Sequence, residues 1–243
     1  SIDFQAFEKE IEWLIEMRVQ GLVMAMVTET IRLTDAERDS VVARMVEVSS
    51  GRVPVVASVG AESTVQALRH AKAAVEAGAN ALMAIPPTLT RCGEAQLFGY
   101  YAALVEAGNV PVIVQDASGY LGNSVPLSVL SDLFDRFGLR ILFKPEALPL
   151  GPNITAILNA TGGAAAIFEG TGGIQLAANF RRGIQGTMPG ADMAWAILAL
   201  WNALENENED MVQSLQGPLA AIVSMLPTLD AHLAVEKMLL VEQ

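Results

Sequence analysis

One lysine, Lys144, occupies a position where a side-chain amine can act as a nucleophile. It follows the apolar run Ile-Leu-Phe and precedes Pro-Glu-Ala, so it falls in a segment that predicts a buried strand. The other lysines fall in segments of helical period, where a solvated charge is ordinary: Lys9, Lys72 and Lys237. Desolvation favours the neutral amine, which adds to a carbonyl carbon and forms an imine. From position alone, a structural ion pair with Glu146 or Glu169 is an equal alternative.

Polar residues also end the other apolar runs of the sequence. They are Thr28, Glu29, Ser58, Thr88, Thr90, Gln115, Asp116, Glu146, Glu169, Gln185 and Thr187. In an α/β barrel the carboxyl ends of the strands meet at one face, and that face carries the active site. We therefore expect the chemistry of this chain to lie among these residues and Lys144.

The elements that position these residues follow the βαβα pattern of a parallel sheet covered by helices. The predicted strands span 21–27, 54–60, 81–87, 111–117, 140–146, 164–170 and 183–189. Helices fit between them: 34–49 begins with a capping box of Thr34 and Glu37, and 61–77 ends at Gly78. A further amphipathic helix over 3–19 precedes the first predicted strand.

This order predicts an α/β protein, a (β/α)8 TIM barrel over 1–204, followed by C-terminal helices over 205–243. Such barrels run to about 250 residues as one unit. Seven strands are one short of a closed barrel, so we expect the first strand to lie upstream of Ser1 and to be missing here. Pro218 and Pro227 are expected to break the C-terminal tail.

Composition excludes several classes of function. The net charge is −12 and the 15 Lys and Arg residues are scattered, which disfavours nucleic acid and anionic membranes as partners. Cys92 is the only cysteine, so internal disulfides and multi-cysteine metal sites are excluded, and we expect no metal. No apolar run reaches the ~18 residues of a membrane span, and the sequence lacks a signal-peptide pattern. We predict a cytoplasmic protein.

Several motifs, in one order over 21 to about 200, resemble the dihydrodipicolinate synthase and N-acetylneuraminate lyase family of class I aldolases. They are Gly21-Leu22-Val23, Leu33-Thr34 with Glu37-Arg38, the run 51–57, Ala77-Gly78-Ala79, Ala81-Leu82, Pro86-Pro87, Pro111-Val112-Ile113 and Lys144. The resemblance implies that Lys144 forms a Schiff base with a 2-oxo acid and that Gly170 lies beside the substrate. It also implies a homo-oligomer, tetramer or dimer, and no cofactor.

The sequence also departs from the family. The glycine, two threonines, glycine and glutamate of the family motif are here Ala25, Met26, Val27, Thr28 and Glu29; backbone amides of this segment are candidates to bind the substrate carboxylate. The family tyrosine pair is replaced by Thr88 and Leu89, the catalytic tyrosine by Gln115, and the arginine that binds the second substrate of the synthase by Tyr120. An amide cannot donate and recover a proton as a phenol does, so dihydrodipicolinate synthesis itself is disfavoured.

The motifs around Gln115, Lys144 and Gln185 resemble a branch of the family that includes 2-keto-3-deoxy sugar acid dehydratases, such as the enzyme acting on 2-keto-3-deoxy-L-arabonate. As hypotheses, Lys144 forms the imine, Gln115 orients the substrate, and Gln185 contacts it. Glu146 or Glu169 moves the proton at carbon 3 or assists departure of a hydroxyl at carbon 4. A salt bridge with Lys144 is the alternative role for either glutamate.

Two rival functions remain open at this point. The lost tyrosines favour a catalytically impaired relative that only binds a 2-oxo acid, as a sensor or scaffold. The glycine-rich run 169–173 resembles a phosphate-binding loop, which would suit a barrel enzyme with no imine, although a tight strand-to-helix turn explains the same residues.

Overall fold

The computed structural model describes residues 2–26, 28–119, 123–225 and 228–242. Within this part of the chain, all seven predicted strands are present, and each is shorter than its apolar run. They are β1 Leu22–Met24, β2 Val55–Ser58, β3 Ala81–Ala84, β4 Val112–Asp116, β5 Ile141–Pro145, β6 Phe168–Glu169 and β7 Gly186–Thr187. The other described residues of each run lie in the loops or turns that flank its strand.

The strands are parallel and follow chain order. β1 to β5 form one sheet in sequence order, and β6 pairs with β7. A single bridge between Phe143 and Ile167 joins β5 to the residue before β6. Among the described residues, no strand pairs with the outer edge of β1 or of β7. This arrangement is that of a βα barrel in which every consecutive pair of strands is joined by a crossover on the outside.

Helices cover the outer face of the sheet. They are α1 Phe4–Glu16, α2 Asp35–Ser49, α3 Thr64–Ala77, α4 Glu94–Ala107, α5 Leu127–Phe137, α6 Leu150–Ala160, α7 Leu176–Phe180, α8 Ala194–Glu205, α9 Glu209–Ser224 and α10 Leu229–Glu242. The predicted capping box at the start of α2 is confirmed: the Thr34 hydroxyl accepts from the Glu37 N–H, and the Glu37 carboxylate accepts from the Thr34 N–H. Gly78 ends α3 in the left-handed conformation, as predicted.

Side chains alternate between two apolar layers. The larger layer lies between sheet and helices and includes Leu82, Val112, Ile141 and Phe143. The smaller layer lines the barrel interior, because successive strand residues point to opposite faces. Its members are Val56, Met83 and Ile113, with Val23, Ala25 and Leu142 packed against them. The interior face of β4 and β5 therefore continues from Ile113 and Leu142 towards the carboxyl ends of the strands.

The C-terminal residues are helical, as predicted, but Pro218 does not break them. It lies inside α9, which is anchored by the buried Val212 and Leu219 on either side. The proline ring removes the hydrogen bond to the carbonyl of Ser214. Ser214 is exposed, so water can satisfy that carbonyl and the helix continues. Pro227 lies outside the described residues, and the division of the chain after residue 204 stays a prediction.

Helix α10 returns to the barrel and forms an acidic cluster with two other segments. We define this cluster as Glu10 of α1, Asp192 of the short turn after β7, and Glu236 of α10. A Cβ atom added to Gly190 would lie 2.5 Å from Asp192 Oδ1 and 3.1 Å from Glu236 Oε1, so both carboxylates approach one point.

Two ion pairs join α10 to the turn after β1: Lys237 with Glu29, and Asp230 with Arg32.

Candidate active site

The register of β4 and β5 brings Gln115 and Lys144 together. The two residues are direct partners in the parallel ladder, and both side chains continue the interior face set by Ile113 and Leu142. Glu146 lies two residues after Lys144 and therefore points to the same side. All three side chains are almost fully buried, with exposed fractions of 0% for Gln115, 4% for Lys144 and 3% for Glu146. The three residues predicted as catalytic thus form one group.

A short ion pair is the centre of this group. Lys144 Nζ donates to Glu146 Oε1 at 2.5 Å. Burying one of these charges without the other would cost on the order of several kcal/mol in lost hydration. The attraction between Lys144 and Glu146 offsets part of this cost for both groups. Moving the proton from Nζ to the carboxylate leaves two neutral groups at the same distance. The pair can therefore supply the neutral amine without expelling a charge into solvent.

Gln115 fixes the other side of the carboxylate. Its Nε2 donates to Glu146 Oε1 at 3.3 Å and to Oε2 at 3.1 Å. A carboxylate accepts only, so the amide must turn its nitrogen towards Glu146 and its oxygen away. That oxygen, Gln115 Oε1, is buried and has no hydrogen-bond partner among the described residues. It is an acceptor available to a ligand hydroxyl.

Gly170, which directly follows β6, packs against Lys144 and Glu146. A Cβ atom at this position would lie 2.7 Å from Lys144 Cε and 2.7 Å from Glu146 Cγ, and closer still to a Glu146 carboxylate oxygen. Only glycine fits here without displacing the ion pair. Gly170 thus lies against Lys144 and Glu146, while its predicted position beside a bound substrate stays a prediction.

Glu169 does not reach Lys144. It lies one residue before Gly170 and faces the outer layer, where it is completely buried. Its carboxylate accepts from the Thr171 N–H at 3.1 Å, from the Thr171 hydroxyl, and from the Thr187 hydroxyl at 2.8 Å. The suggested salt bridge with Lys144 is formed by Glu146 instead. The Thr171 N–H is engaged by this carboxylate, which favours the tight turn as the explanation of the run 169–173.

The segment after β1, which is predicted to bind the substrate carboxylate, makes hydrogen bonds within its own turn. Met26 is buried against Ile85 and Ala117. The Thr28 N–H donates to the Met26 carbonyl at 2.8 Å, and the Thr28 hydroxyl donates to the Ala25 carbonyl at 2.8 Å. The amide of Thr28 is therefore engaged within the turn. Val27 lies outside the described residues, as does Tyr120, and binding of a carboxylate by this segment stays a prediction.

Gln185 lies away from the catalytic group. It precedes β7 at the amino-terminal side of the strand, and its side chain is exposed. Its Oε1 accepts from the Ile167 N–H at 2.6 Å and its Nε2 donates to the Gly183 carbonyl at 3.0 Å. Both ends of the amide thus hold the start of the β6–β7 pair. The structure does not bring this predicted substrate-binding residue to Lys144.

Glu62, which the sequence did not single out, organises one loop at the mouth of the barrel. Its carboxylate accepts from the Thr88 N–H at 2.9 Å, from the Thr88 hydroxyl at 2.5 Å, and from the Leu89 N–H at 3.0 Å. Partial burial raises the pKa of this carboxyl, but these hydrogen bonds outweigh it, and the net shift is downward. The resemblance matches Thr88 and Leu89 to the family tyrosine pair, and in the structure Leu89 is exposed.

Comparison with known proteins fits this geometry. The family model described as the dihydrodipicolinate synthetase family matches residues 1–223. The chain belongs to the dihydrodipicolinate synthetase family.

No helix of the described residues is long and apolar enough to cross a membrane, and these residues hold no group of three or more His, Cys, Asp or Glu placed to bind a metal ion.

Curated relatives share this family but match over a limited length. The 4-hydroxy-tetrahydrodipicolinate synthase of Methylobacterium radiotolerans is 36% identical over 115 residues, which is 47% of this chain and 38% of that protein. The enzyme of the same name from Maridesulfovibrio salexigens is 35% identical over 130 residues, or 53% of this chain and 44% of that protein. The matches therefore span less than half the length of these relatives.

Solved structures confirm the predicted barrel class. Dihydrodipicolinate synthase from Oceanobacillus iheyensis superposes with a TM-score of 0.87 at 21% identity, covering 100% of this chain and 81% of that chain. The Acinetobacter baumannii dihydrodipicolinate synthase, solved in complex with pyruvate, gives 0.84 at 23% identity and covers 93% and 78%. At these identities the likeness establishes the fold.

Proposed function

We propose that this chain is a Schiff-base-forming lyase that acts on a small 2-oxo or 2-keto-3-deoxy acid through Lys144. The observation that carries the proposal is the buried Lys144–Glu146 pair at the carboxyl end of β5, which packs against a glycine with no room for a side chain. Membership of the dihydrodipicolinate synthetase family supports the class of chemistry. No cofactor is needed, because the imine itself serves as the electron sink.

The first step forms the imine. Transfer of one proton from Nζ to Glu146 leaves the amine lone pair free to attack the C2 carbonyl carbon of the substrate. The carbonyl oxygen takes up protons and leaves as water, and a C=N bond to Lys144 replaces the C=O bond. Glu146 is close enough to Nζ to accept and return the protons that this exchange requires.

The second step differs between the two lyase reactions. In a dehydration, Glu146 removes a proton from C3, the electron pair forms the enamine, and hydroxide leaves C4 with a proton as water, giving a conjugated iminium. In a retro-aldol cleavage, the base removes the proton of the C4 hydroxyl, the C3–C4 bond breaks, and its electron pair enters the enamine. This enamine takes up a proton at C3 and becomes an iminium. In both reactions, hydrolysis of the iminium by water then releases the product and restores the Lys144 amine.

Gln115 supports a hydroxylated substrate. Its free Oε1 accepts a hydrogen bond and repels a carboxylate, so a substrate hydroxyl is the group that completes it. An unsatisfied buried acceptor costs about 1–3 kcal/mol, which favours ligands that donate there. This polarity suits a 2-keto-3-deoxy sugar acid better than a second carboxylate-bearing substrate of the synthase type.

Product analysis tests the proposal. The protein is incubated with 2-keto-3-deoxy-pentonates and 2-keto-3-deoxy-hexonates of both configurations, and products are identified by mass spectrometry. Dehydration yields an acid lighter by one water, whereas retro-aldol cleavage yields pyruvate and an aldehyde. Lys144→Ala should abolish either reaction, and Glu146→Gln should slow it about 10²- to 10⁴-fold. Binding without turnover of any of these acids would favour the binding-only relative.

The remaining proposals concern the state of the protein. We propose a homo-oligomer, a tetramer or dimer, located in the cytoplasm and free of nucleic-acid and membrane partners. Light scattering on the purified protein measures the mass of the assembly directly.

A further inference from the structure

The Glu169 carboxylate is buried without a partner of opposite charge in its hydrogen-bond set. Its three donors are neutral: the Thr171 N–H, the Thr171 hydroxyl and the Thr187 hydroxyl. The Thr187 hydroxyl also lies 3.1 Å from the Glu169 carbonyl. A buried polar group that loses its hydrogen bonds is costly, so these bonds fix the geometry around Glu169. They join β7 to the turn that follows β6.

We propose that Glu169 is a positioning residue that holds Gly170 against the Lys144–Glu146 pair. This inference rests on the proposed function, because its effect is transmitted to the reacting lysine. Glu169 itself faces the outer layer and does not contact the pair. It acts by fixing the residues on either side of Gly170: its own backbone within β6, and Thr171 through two hydrogen bonds.

The contacts of Gly170 make the pair sensitive to this turn. An added Cβ would lie 2.7 Å from both Lys144 Cε and Glu146 Cγ, so the glycine backbone forms a wall of the site. On its other side Glu146 is held by Gln115 and Lys144. If the turn moves outward, space opens beside Glu146 and its carboxylate can rotate away from Nζ. Misplacement of a reacting group by about 1 Å costs on the order of 10²-fold in rate.

Two substitutions at Glu169 separate positioning from proton transfer. In Glu169→Gln, the amide oxygen still accepts from Thr171, and the amide nitrogen donates to the Thr187 oxygen, whose hydroxyl can donate to the residue 169 carbonyl. Glutamine therefore keeps the turn but cannot carry a proton. Glu169→Ala loses every one of these bonds. We expect Glu169→Gln to stay within about 3-fold of the parent rate and Glu169→Ala to fall about 10- to 100-fold.

A second pair of variants guards against misfolding of the alanine variant. Thr187→Val removes one hydroxyl at nearly constant volume, and Thr187→Ser restores that hydroxyl. Each protein is mixed with pyruvate and sodium cyanoborohydride, a reductant that survives at acid pH. The rate of adduct formation at Lys144 is followed from pH 5 to 9, with circular dichroism as the check on folding. We expect Thr187→Val to slow trapping and to move the pH at which trapping is half-maximal. The pyruvate concentration that gives half-maximal trapping should change little. Thr187→Ser should recover the parent rate and the parent pH midpoint.

The outcomes distinguish failure of the proposed function from failure of the inference about Glu169. Absence of an adduct in the parent protein overturns the proposed function and this inference with it. A parent that traps pyruvate normally, together with Glu169→Gln as slow as Glu169→Ala, makes Glu169 a proton carrier and overturns the inference alone. If Thr187→Val and Glu169→Ala both trap pyruvate at the parent rate and with the parent pH midpoint, this inference is also overturned and the proposed function stands. The turn would then not depend on the hydrogen bonds of Glu169.

Discussion

Removing the charge of Glu10 should stabilise the protein at alkaline pH. Burial, together with the charges of Glu236 and Asp192, raises the pKa of Glu10 from 4.5 to about 7. Burial is also the main cause that raises the pKa values of Asp192 and Glu236, while the charge of His232 opposes the shift in both. The folded protein therefore holds a proton on Glu10 over a pH range in which the unfolded chain has released it.

The sign and size of the effect follow from this difference in proton binding. Because the folded-state pKa of Glu10 is raised, its contribution to stability falls as pH rises from about 4.5 through about 7, and is then constant. A shift of this size corresponds to ~3 kcal/mol at pH 8, and partial exposure of Glu10 and its coupling to the other carboxylates reduce the expectation to about 1–3 kcal/mol. Glutamine imitates the protonated acid, so Glu10→Gln escapes this penalty.

Urea unfolding of the parent and of Glu10→Gln, at half-unit steps from pH 4.5 to 8.5, measures the effect. The two proteins should be equally stable near pH 4.5, and the variant should be more stable by about 1–3 kcal/mol at pH 8, or by roughly 2–12 °C in Tm. Glu16→Gln, an exposed carboxylate of the same helix, controls for the loss of one negative charge. A constant difference across the pH range, or a less stable Glu10→Gln at pH 8, would refute the reasoning.

Three further predictions concern single side chains. Gly170→Ala should destabilise the fold by about 1–3 kcal/mol through overpacking and slow adduct formation on Lys144 more than about 100-fold, as measured by urea unfolding and borohydride trapping; normal trapping would contradict the contact. Gln115→Met should raise KM for hydroxylated acids about 3- to 10-fold more than it raises KM for pyruvate, because only the former donate to Oε1; equal effects would contradict that role. Thr34→Ala should lower the free energy of unfolding by about 1 kcal/mol by removing the cap of α2, whereas Thr34→Ser should not.

Hydrophobic patterning was sufficient to predict the strands. Parallel strands are covered on both faces, so they appear in the sequence as continuous apolar runs, and all seven runs contain a strand. The patterning did not determine where each strand ends: the run 164–170 contains only Phe168–Glu169 as a strand. Pro218 was misjudged because helix interruption by proline depends on whether the freed carbonyl is hydrated, and the sequence does not show which residues are exposed.

The part of the site that depends only on the two-residue period of a strand was predictable from the sequence. Lys144 and Glu146 differ by two positions, so they share a face whichever way the strand is turned, and their contact follows from the sequence. Glu169 and Gln185 required the register of β6 and β7, in which a difference of one residue reverses the face. Apolar runs covered on both sides carry no alternation, so this register was not available from the sequence.

Borohydride trapping on the intact protein tests the central claim most directly. The parent protein and Lys144→Ala are each mixed with pyruvate and sodium borohydride, digested, and mapped by mass spectrometry. We predict one reduced pyruvate adduct on the peptide that contains Lys144, dependent on pyruvate and absent from the variant. A folded parent protein that gives no adduct, or one that carries the adduct on another lysine, would contradict the assignment of Lys144 as the nucleophile.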